Sequence, residues 1–209
     1  MPMSPSPRPR PQRAGLTGQD RTNDTALVVL DMISCWAFPD ADVLVRAALR
    51  VAPAIARLRE RCIAAGVPVI YANDNSGQWR SDFKSLVRAA LEAGGPGAEI
   101  ARLLEPGPED YFVLKPKHSA FFATPLEILL DHLRTRRLVV TGVAADQCVL
   151  NTVADARMRD FEVVVPSDCI ATLGAARQQR AIEQLREALQ IKVPVASALR
   201  FARAPRGRA

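Results

Sequence analysis

The stretch "RRLVVTGVAADQCVLNTVADARMRDFEVVVPSD" (136–168) decides the fold. It starts with an apolar run that predicts a buried strand at 136–143, and the segment from about Ala145 to Arg159 predicts a helix. The next apolar run, "FEVVVPSD" (161–168), predicts another strand. Because these runs are continuously apolar and do not alternate with polar residues, they indicate burial on both faces of a sheet. Such a unit predicts parallel strands joined by a right-handed crossover.

The same alternation of short apolar runs and longer helical patterns continues on both sides of this unit. It predicts further strands at 25–31, 67–74, 110–115 and 191–196, and further helices at 40–66, 81–95, 124–135 and 174–189. The sequence therefore predicts an α/β fold, a doubly wound, six-stranded parallel sheet with helices on both faces.

Length and composition indicate a single domain with basic tails. The 209 residues suffice for one sizeable core, so we expect one domain at 25–195, between a disordered Pro/Arg-rich tail at 1–24 and a basic tail at 196–209. Seven arginines lie in the end segments 1–13 and 200–209, and the rest of the chain holds 21 basic residues against 22 acidic ones. This near-neutral body argues against a nucleic-acid partner.

The cysteines and the apolar segments bear on the compartment. The four cysteines are widely spaced and form no C-x-x-C pair, so the sequence indicates neither a disulfide framework nor a zinc knot. The N-terminal segment lacks the apolar core of a signal peptide, and no run approaches the ~20 apolar residues of a membrane span. These features predict a cytoplasmic protein with no membrane partner.

Three predicted strand ends supply residues that could act together. In doubly wound sheets, ligands bind beyond the carboxyl ends of the strands. Asp31 and Lys115 end two strands, and Cys148 lies in the first turn of the helix after a third. A nearby lysine and a helix N-terminus both lower the pKa of a cysteine from about 8.5, which favours a nucleophilic thiolate. Asp31 could then serve as general base, although a buried small thiol, a capping carboxylate and a solvated lysine are plainer roles for the same residues.

Three segments resemble the isochorismatase-like cysteine hydrolases, the superfamily that contains nicotinamidases, N-carbamoylsarcosine amidases, ureidoacrylate amidohydrolases and isochorismatases. They are "ALVVLDM" (26–32), "VLKPKHSAFFATPLE" (113–127) and "VVTGVAADQCVLNTVADARMRDFEVVVPSDC" (139–169), and the likeness extends over roughly residues 25–195. The family's pattern of a lysine, two residues, an aromatic residue or histidine, a small residue and A-F fits "KPKHSAF" with Lys115 at the catalytic position.

The resemblance implies a role for each of these residues. It implies that Cys148 is the nucleophile, Asp31 the general base and Lys115 the third member of the set. It also implies a cis peptide between Val143 and Ala144, with the backbone N–H groups of Ala144 and Cys148 forming an oxyanion hole. The resemblance further implies a homodimer or homotetramer. It implies a small molecule as the substrate and no cofactor.

The sequence departs from the metal-using nicotinamidases after the second strand. Where that group has an aspartate and a histidine two residues apart, this chain has Asp74 and Ser76. Because the chain holds only two histidines, we expect no metal site and no nicotinamidase activity. "DMISCW" (31–36) also replaces the commoner D-M-Q-N-D-F, and this puts Cys35 near the base as a second thiol.

Aromatic and polar side chains near the strand ends are the candidates for a substrate pocket. Rings there would wall the pocket, and amide, carboxylate and guanidinium groups would recognise polar atoms of a substrate. Core packing and ordinary loop polarity are the alternatives for each of them. The predicted pocket residues are Trp36, Asn73, Asp74, Asn75, Trp79, Arg80 and Phe121.

The sequence as a whole predicts a metal-independent amidohydrolase. We expect Cys148 to attack the carbonyl of a small amide or N-carbamoyl compound, form a thioester and release an amine or ammonia, after which water frees the acid. Two alternatives stay open. One is vinyl-ether hydrolysis of the isochorismatase type, which relatives perform with the aspartate and lysine alone, and the other is a non-catalytic relative that binds a ligand through the same cleft.

Overall fold

The computed structural model describes residues 24–75, 77, 79–80 and 82–201. The predicted tails therefore fall largely outside the described residues, as does Ser76. Six strands form one sheet in which every pair is parallel, and this confirms the predicted fold class. The strands are β1 (Thr25–Leu30), β2 (Val69–Asp74), β3 (Tyr111–Lys115), β4 (Arg137–Val143), β5 (Glu162–Val164) and β6 (Ile170–Ala171).

The strand order explains where a site can form. Neighbouring strands run β3-β2-β1-β4-β5, and β6 pairs with the end of β4. The chain moves outward from β1 to β3 and then returns to the other side of β1 for β4. The connections that follow β1 and β4 therefore leave the sheet in opposite directions, which opens a crevice at their carboxyl ends.

Helices cover both faces of the sheet. Side chains alternate along β1, so that Leu27 and Val29 pack into one core and Val28 and Leu30 into the other. The first three helices cover the first face and the last three cover the second. None of the helices in the described part of the chain is long and apolar enough to cross a membrane. They are α1 (Ala41–Ala64), α2 (Phe83–Glu92), α3 (Gly95–Leu103), α4 (Leu126–His132), α5 (Leu150–Met158) and α6 (Ala175–Glu183).

The sequence analysis misplaced one strand and missed one helix. The predicted last strand at 191–196 contributes a single bridge between Val164 and Lys192, and the sixth strand is β6. Proline at 194 has no N–H to donate to a strand ladder, which limits pairing there. The sequence analysis also missed α3, because the glycines at 94 and 95 indicated a helix end, whereas α3 starts at Gly95 with a proline in its first turn.

Gly142 brings the ends of β1 and β4 together. Its φ is +106°, and a Cβ atom at this position would lie 2.0 Å from the carbonyl oxygen of Leu30. Only glycine tolerates both the backbone conformation and this approach. The residues that follow β1 and β4 therefore start side by side.

Candidate active site

The three residues that the sequence places at strand ends meet in the structure. Lys115 ends β3, and its side chain is completely buried. Its Nζ atom lies 2.8 Å from Oδ2 of Asp31 and 3.5 Å from Sγ of Cys148. The lysine side chain starts on an outer strand, where Asp74 of β2 is its register partner, and ends between residues that follow β1 and β4. A single cation therefore contacts both a carboxylate and a thiol.

Asp31 is held by both of its carboxylate oxygens. It follows β1 with a left-handed backbone (φ 53°), a conformation that aspartate tolerates better than most residues. The backbone N–H of Asp74 donates to its Oδ1 at 2.7 Å, while Oδ2 faces Lys115. The Asp74 carboxylate lies farther from the lysine, at 3.8 Å. Asp31 is thus oriented by a main-chain donor and a cation on adjacent strands.

The electrostatics of this group correct one expectation. Burial alone would lower the pKa of Lys115, but the charge and hydrogen bond of Asp31, together with Cys148 and Asp74, outweigh it and raise the pKa, so the lysine is an ammonium ion. Burial, followed by the charge of Asp31, raises the pKa of Cys148 to about 12, against the opposing effect of Lys115. The expectation of a lowered thiol pKa was therefore wrong, because removal from water and the charge of Asp31 outweigh the effect of the lysine. The resting nucleophile is a thiol whose proton needs an acceptor.

The nucleophile sits in a π-helical turn. The peptide bond between Val143 and Ala144 is cis, and the turn Ala145–Val149 follows it and leads into α5. The predicted helix thus begins with a wider turn than a regular α-helix has. Cys148 lies in this turn and is largely buried.

Asp146 connects the turn to a later segment of the same chain. Its Oδ1 accepts a short hydrogen bond from the hydroxyl of Thr172, and its Oδ2 accepts from Nε of Arg177 at 2.7 Å. Burial would raise the pKa of Asp146, but the hydrogen bonds from Thr172 and Arg177 outweigh it and lower the pKa. The turn that carries the nucleophile is therefore fixed to residues after β6 and in α6.

His118 is a site residue to which the sequence analysis gave no role. Its Nδ1 atom lies 3.6 Å from Sγ of Cys148, and the residue lines the same cavity. The available signal was its place in "KPKHSAF", three residues after Lys115. Gln147 also lines the cavity and was not singled out. Which loop side chains face a cavity depends on the loop path, which periodicity does not predict.

A cavity of about 760 Å³ opens above this group. Asp31, Cys148, Val143 and Ala144 lie on its wall, so the predicted nucleophile, base and oxyanion-hole residues share one space. The wall also includes four of the predicted pocket residues, namely Trp36, Asn73, Asp74 and Asn75. Cys35, the second thiol, is exposed and lines the same cavity.

Three other predicted pocket residues lie elsewhere. Phe121 is buried in the core on the α4–α6 face of the sheet, with its ring centroid 5.9 Å from that of Phe161, and the backbone N–H of Ala120 before it donates to the hydroxyl of Thr152 in α5. Trp79 is 79% exposed, Arg80 is also exposed, and neither is among the described residues that line the cavity. Nearness to a strand end in the sequence was therefore insufficient to predict that an aromatic ring lines the pocket.

The metal prediction turns on a position that the structure does not describe. Asp74 lines the cavity, but Ser76, which stands where metal-using relatives carry histidine, lies outside the described residues. Among the residues that are described, no three His, Cys, Asp or Glu side chains cluster as a metal site would require. Metal independence stays a prediction.

Comparisons with known proteins agree with this geometry. Residues 25–198 match the family model described as the isochorismatase domain. The uncharacterized isochorismatase family protein YaaI of Bacillus subtilis is 37% identical over 149 residues, which cover 71% of this chain and 81% of that protein. N-carbamoylsarcosine amidase of an Arthrobacter species is 28% identical, over 71% of this chain and 60% of the amidase. The crystal structure of an isochorismatase family protein from Desulfovibrio vulgaris aligns with a TM-score of 0.69 and 28% identity, over 85% of this chain and 96% of that one.

The matched range covers the whole sheet and all three residues that meet around Lys115. The parallel strand order and the similarity to a solved family structure also agree with the family match. The chain therefore belongs to the isochorismatase family.

Proposed function

We propose that this protein is a cysteine-dependent amidohydrolase that cleaves the C–N bond of a small amide or N-carbamoyl compound through a thioester on Cys148. The observation that carries the proposal is the position of the Lys115 ammonium group, in contact with Asp31 at 2.8 Å and with the Cys148 sulfur at 3.5 Å. Membership in a family of hydrolases, with an amidase among the relatives, supports the reaction class.

The first half of the reaction forms the thioester. Asp31 takes the thiol proton as Sγ of Cys148 attacks the substrate carbonyl carbon, and the carbonyl electron pair moves onto oxygen. The backbone N–H groups of Ala144 and Cys148 stabilise that oxyanion. The tetrahedral intermediate then breaks its C–N bond, and Asp31 returns the proton to the leaving nitrogen. Because burial and the charge of Asp31 raise the pKa of Cys148, we propose that this proton transfer accompanies the attack.

The second half releases the acid. Asp31 takes a proton from water as the water oxygen bonds to the thioester carbon, and the C–S bond then breaks. The proton returns to the sulfur, which restores the resting thiol. Lys115 stays protonated throughout. Its positive charge balances that of Asp31 while the sulfur of Cys148 loses and regains its proton.

Vinyl-ether hydrolysis and a binding role are the competing functions. Vinyl-ether hydrolysis requires only the aspartate and the lysine, so it leaves the cavity position of the Cys148 thiol without a purpose. A binding protein requires none of the three groups, yet here the cation contacts both of the others. The proposed enzyme is cytoplasmic, homo-oligomeric and independent of metals and cofactors, properties inferred from the sequence.

The test is intact-mass spectrometry of the protein after incubation with a panel of primary amides and N-carbamoyl acids and a rapid acid quench. Wild-type protein should acquire an acyl mass, and Cys148→Ala should acquire none, because the thioester cannot form without the sulfur. Cys35→Ala removes the other cavity thiol and should still acquire the mass, so it is the matched control. Turnover of an amide by Cys148→Ala at the wild-type rate would contradict the proposal. Turnover of isochorismate alone would favour vinyl-ether hydrolysis.

A further inference from the structure

We propose that Gly97 of α3 sets the depth of the cavity, because the indole ring of Trp36 occupies the space where a side chain at position 97 would lie. Gly97 is a positioning residue that acts through Trp36, and it determines how long an acyl group the cavity accepts. This inference rests on the proposed function, in which the cavity holds the acyl part of the substrate.

The contact between Gly97 and Trp36 leaves no room for a side chain. Gly97 is buried in α3, and a Cβ atom built on it would lie 2.5 Å from Cδ1 and 3.0 Å from Nε1 of Trp36. Apart from the neighbouring stretch of α3, the three nearest heavy atoms all belong to this indole. Because carbon atoms in contact are normally about 3.5–4.0 Å apart, a methyl group at position 97 would displace the ring by about 1 Å.

Trp36 lies between α3 and the cavity. It lines the cavity, Gly97 is not among the described residues of the wall, and the Nε1 atom on the edge that faces Gly97 is buried. On the other side, Ile100 and Ala101 of α3 are completely buried in the core that α3 shares with α1. A packed core yields little, whereas the cavity offers about 760 Å³ of open space. A displaced ring therefore moves into the cavity.

Packing against Gly97 is what holds the ring in place. Within the described residues Nε1 of Trp36 has no hydrogen-bond partner, so a shift of the ring breaks no hydrogen bond of the indole. The ring of Phe38, with its centroid 6.0 Å from that of Trp36, belongs to a side chain that is 46% exposed and has room to move. Alanine favours a helix more than glycine does, so Gly97→Ala does not weaken α3 itself. The substitution should therefore make the cavity shallower.

The first experiment compares acyl groups of different length in wild type and in Gly97→Ala. It measures kcat/KM for straight-chain primary amides from acetamide to octanamide. The ratio of the longest to the shortest amide turned over should fall by at least about tenfold in the variant, because one methylene in a pocket is typically worth about that much or more. A variant that is only damaged in its structure would lose both activities equally and keep the ratio.

Gly107→Ala is the matched control for this substitution. A Cβ atom there would lie 3.3 Å from a guanidinium nitrogen of Arg59, and neither residue is among the described residues that line the cavity. This variant should keep the wild-type ratio. An unchanged ratio in Gly97→Ala would overturn the inference. A Gly97→Ala protein that does not fold would also overturn it, because the ring then does not move into the cavity.

The second experiment tests whether Gly97 acts through the ring. Trp36→Ala should by itself raise the long-to-short ratio, because it deepens the cavity. Adding Gly97→Ala to this variant should change the ratio no further, since the atoms that meet the new methyl group are gone. An effect of Gly97→Ala that is equally large with and without the indole would show that it acts through α3, and would overturn the inference.

The third experiment follows the ring without any substrate. The chain has two tryptophans, and Trp79 is 79% exposed, so Trp79→Phe leaves Trp36 as the single fluorescent reporter. In this background Gly97→Ala should increase the quenching of Trp36 by acrylamide, because the ring moves from α3 toward the open cavity. Gly107→Ala should leave the quenching as it is. Equal quenching with and without Gly97→Ala would overturn the inference.

These outcomes separate the inference from the proposed function. If wild-type protein forms an acyl adduct at Cys148 but Gly97→Ala keeps the wild-type ratio, the proposed function stands and this inference fails. If wild-type protein forms no adduct and hydrolyses no amide, the proposed function fails, and the quenching of Trp36 decides whether Gly97 sets the position of the ring.

Discussion

Lys115 is the residue on which the charge balance of the site depends. It is completely buried, yet its pKa is raised because Asp31, Cys148 and Asp74 together outweigh the effect of burial. A buried cation persists only when it is paired, and Asp31 provides that pairing at 2.8 Å. The same pairing balances the negative charge of Asp31 beside the Cys148 thiol. Activity and stability therefore share one residue.

Substitution of this lysine separates the two contributions. We expect Lys115→Met to lower kcat/KM by about 10²–10⁴ and to lower the free energy of unfolding by about 3 kcal/mol, because Asp31 is left without its cation. Steady-state kinetics and urea unfolding measure the two effects. The double variant Lys115→Met/Asp31→Asn should recover much of the stability but none of the activity, since it removes the unpaired charge and the general base together. Full activity in the single variant would show that the contact is only structural.

At the scale of elements, the π-helical turn Ala145–Val149 aims the nucleophile. Asp146 anchors this turn through Thr172 and Arg177, and these three residues are not among those that line the cavity. Because small displacements of a reacting group reduce rates steeply, an anchor of this kind matters for catalysis without touching substrate. The turn and its anchor act as one positioning element.

Removal of this anchor should act on kcat more than on KM. We expect Asp146→Ala to lower kcat by about tenfold to a hundredfold, with KM little changed, because Cys148 is misaligned while the cavity wall persists. The lost charged hydrogen bonds should lower the free energy of unfolding by about 1–3 kcal/mol. Asp42→Ala is the matched control, since it breaks only an exposed ion pair with Arg46 on α1. An unchanged kcat for Asp146→Ala would show that the turn holds itself.

At the scale of the whole molecule, three thiols outside the strands are buried by the packing of helices and turns against the sheet. Burial raises the pKa of Cys62 and of Cys148 from 9.0 to about 12, and it also raises that of Cys169. Below about pH 9 both the folded and the unfolded chain hold these protons, so the stability that they confer is fully present. Between about pH 9 and pH 12 the unfolded chain loses them first, and stability falls as the pH rises.

Urea unfolding under reducing conditions at pH 8, 9 and 10 measures this loss. The free energy of unfolding should decrease above about pH 9, by up to about 1.4 kcal/mol per pH unit for each buried thiol. Cys62→Ala should make the decrease shallower, because one buried thiol is removed. Cys35→Ala, which removes an exposed thiol, is the matched control and should keep the wild-type slope. Stability that does not change between pH 8 and 10 would contradict the assignment.

The class of the sheet and the residues that could carry chemistry were predictable from the sequence. The sequence shows continuous apolar runs on β1 and β4, with residues that carry reactive side chains after them. Both features could be predicted, because burial on both faces of a sheet requires a local run of apolar residues. Elements whose existence depends on distant partners were not: β6 is two residues long and pairs only because β4 is beside it, and α3 begins at a glycine that resembled a helix end.

How these residues meet, and how they are protonated, follows from the packing of the whole chain. Three observations join segments that are far apart in the chain. Lys115 contacts Asp31 and Cys148, His118 lies near the Cys148 sulfur, and Phe121 packs into the core on the α4–α6 face of the sheet. The raised pKa of Cys148 likewise follows from burial by the whole fold and from the charge of Asp31, which together outweigh the effect of Lys115. Local sequence encodes periodicity and residue type, whereas distances between strand ends and the loss of water around a thiol arise only when the chain packs.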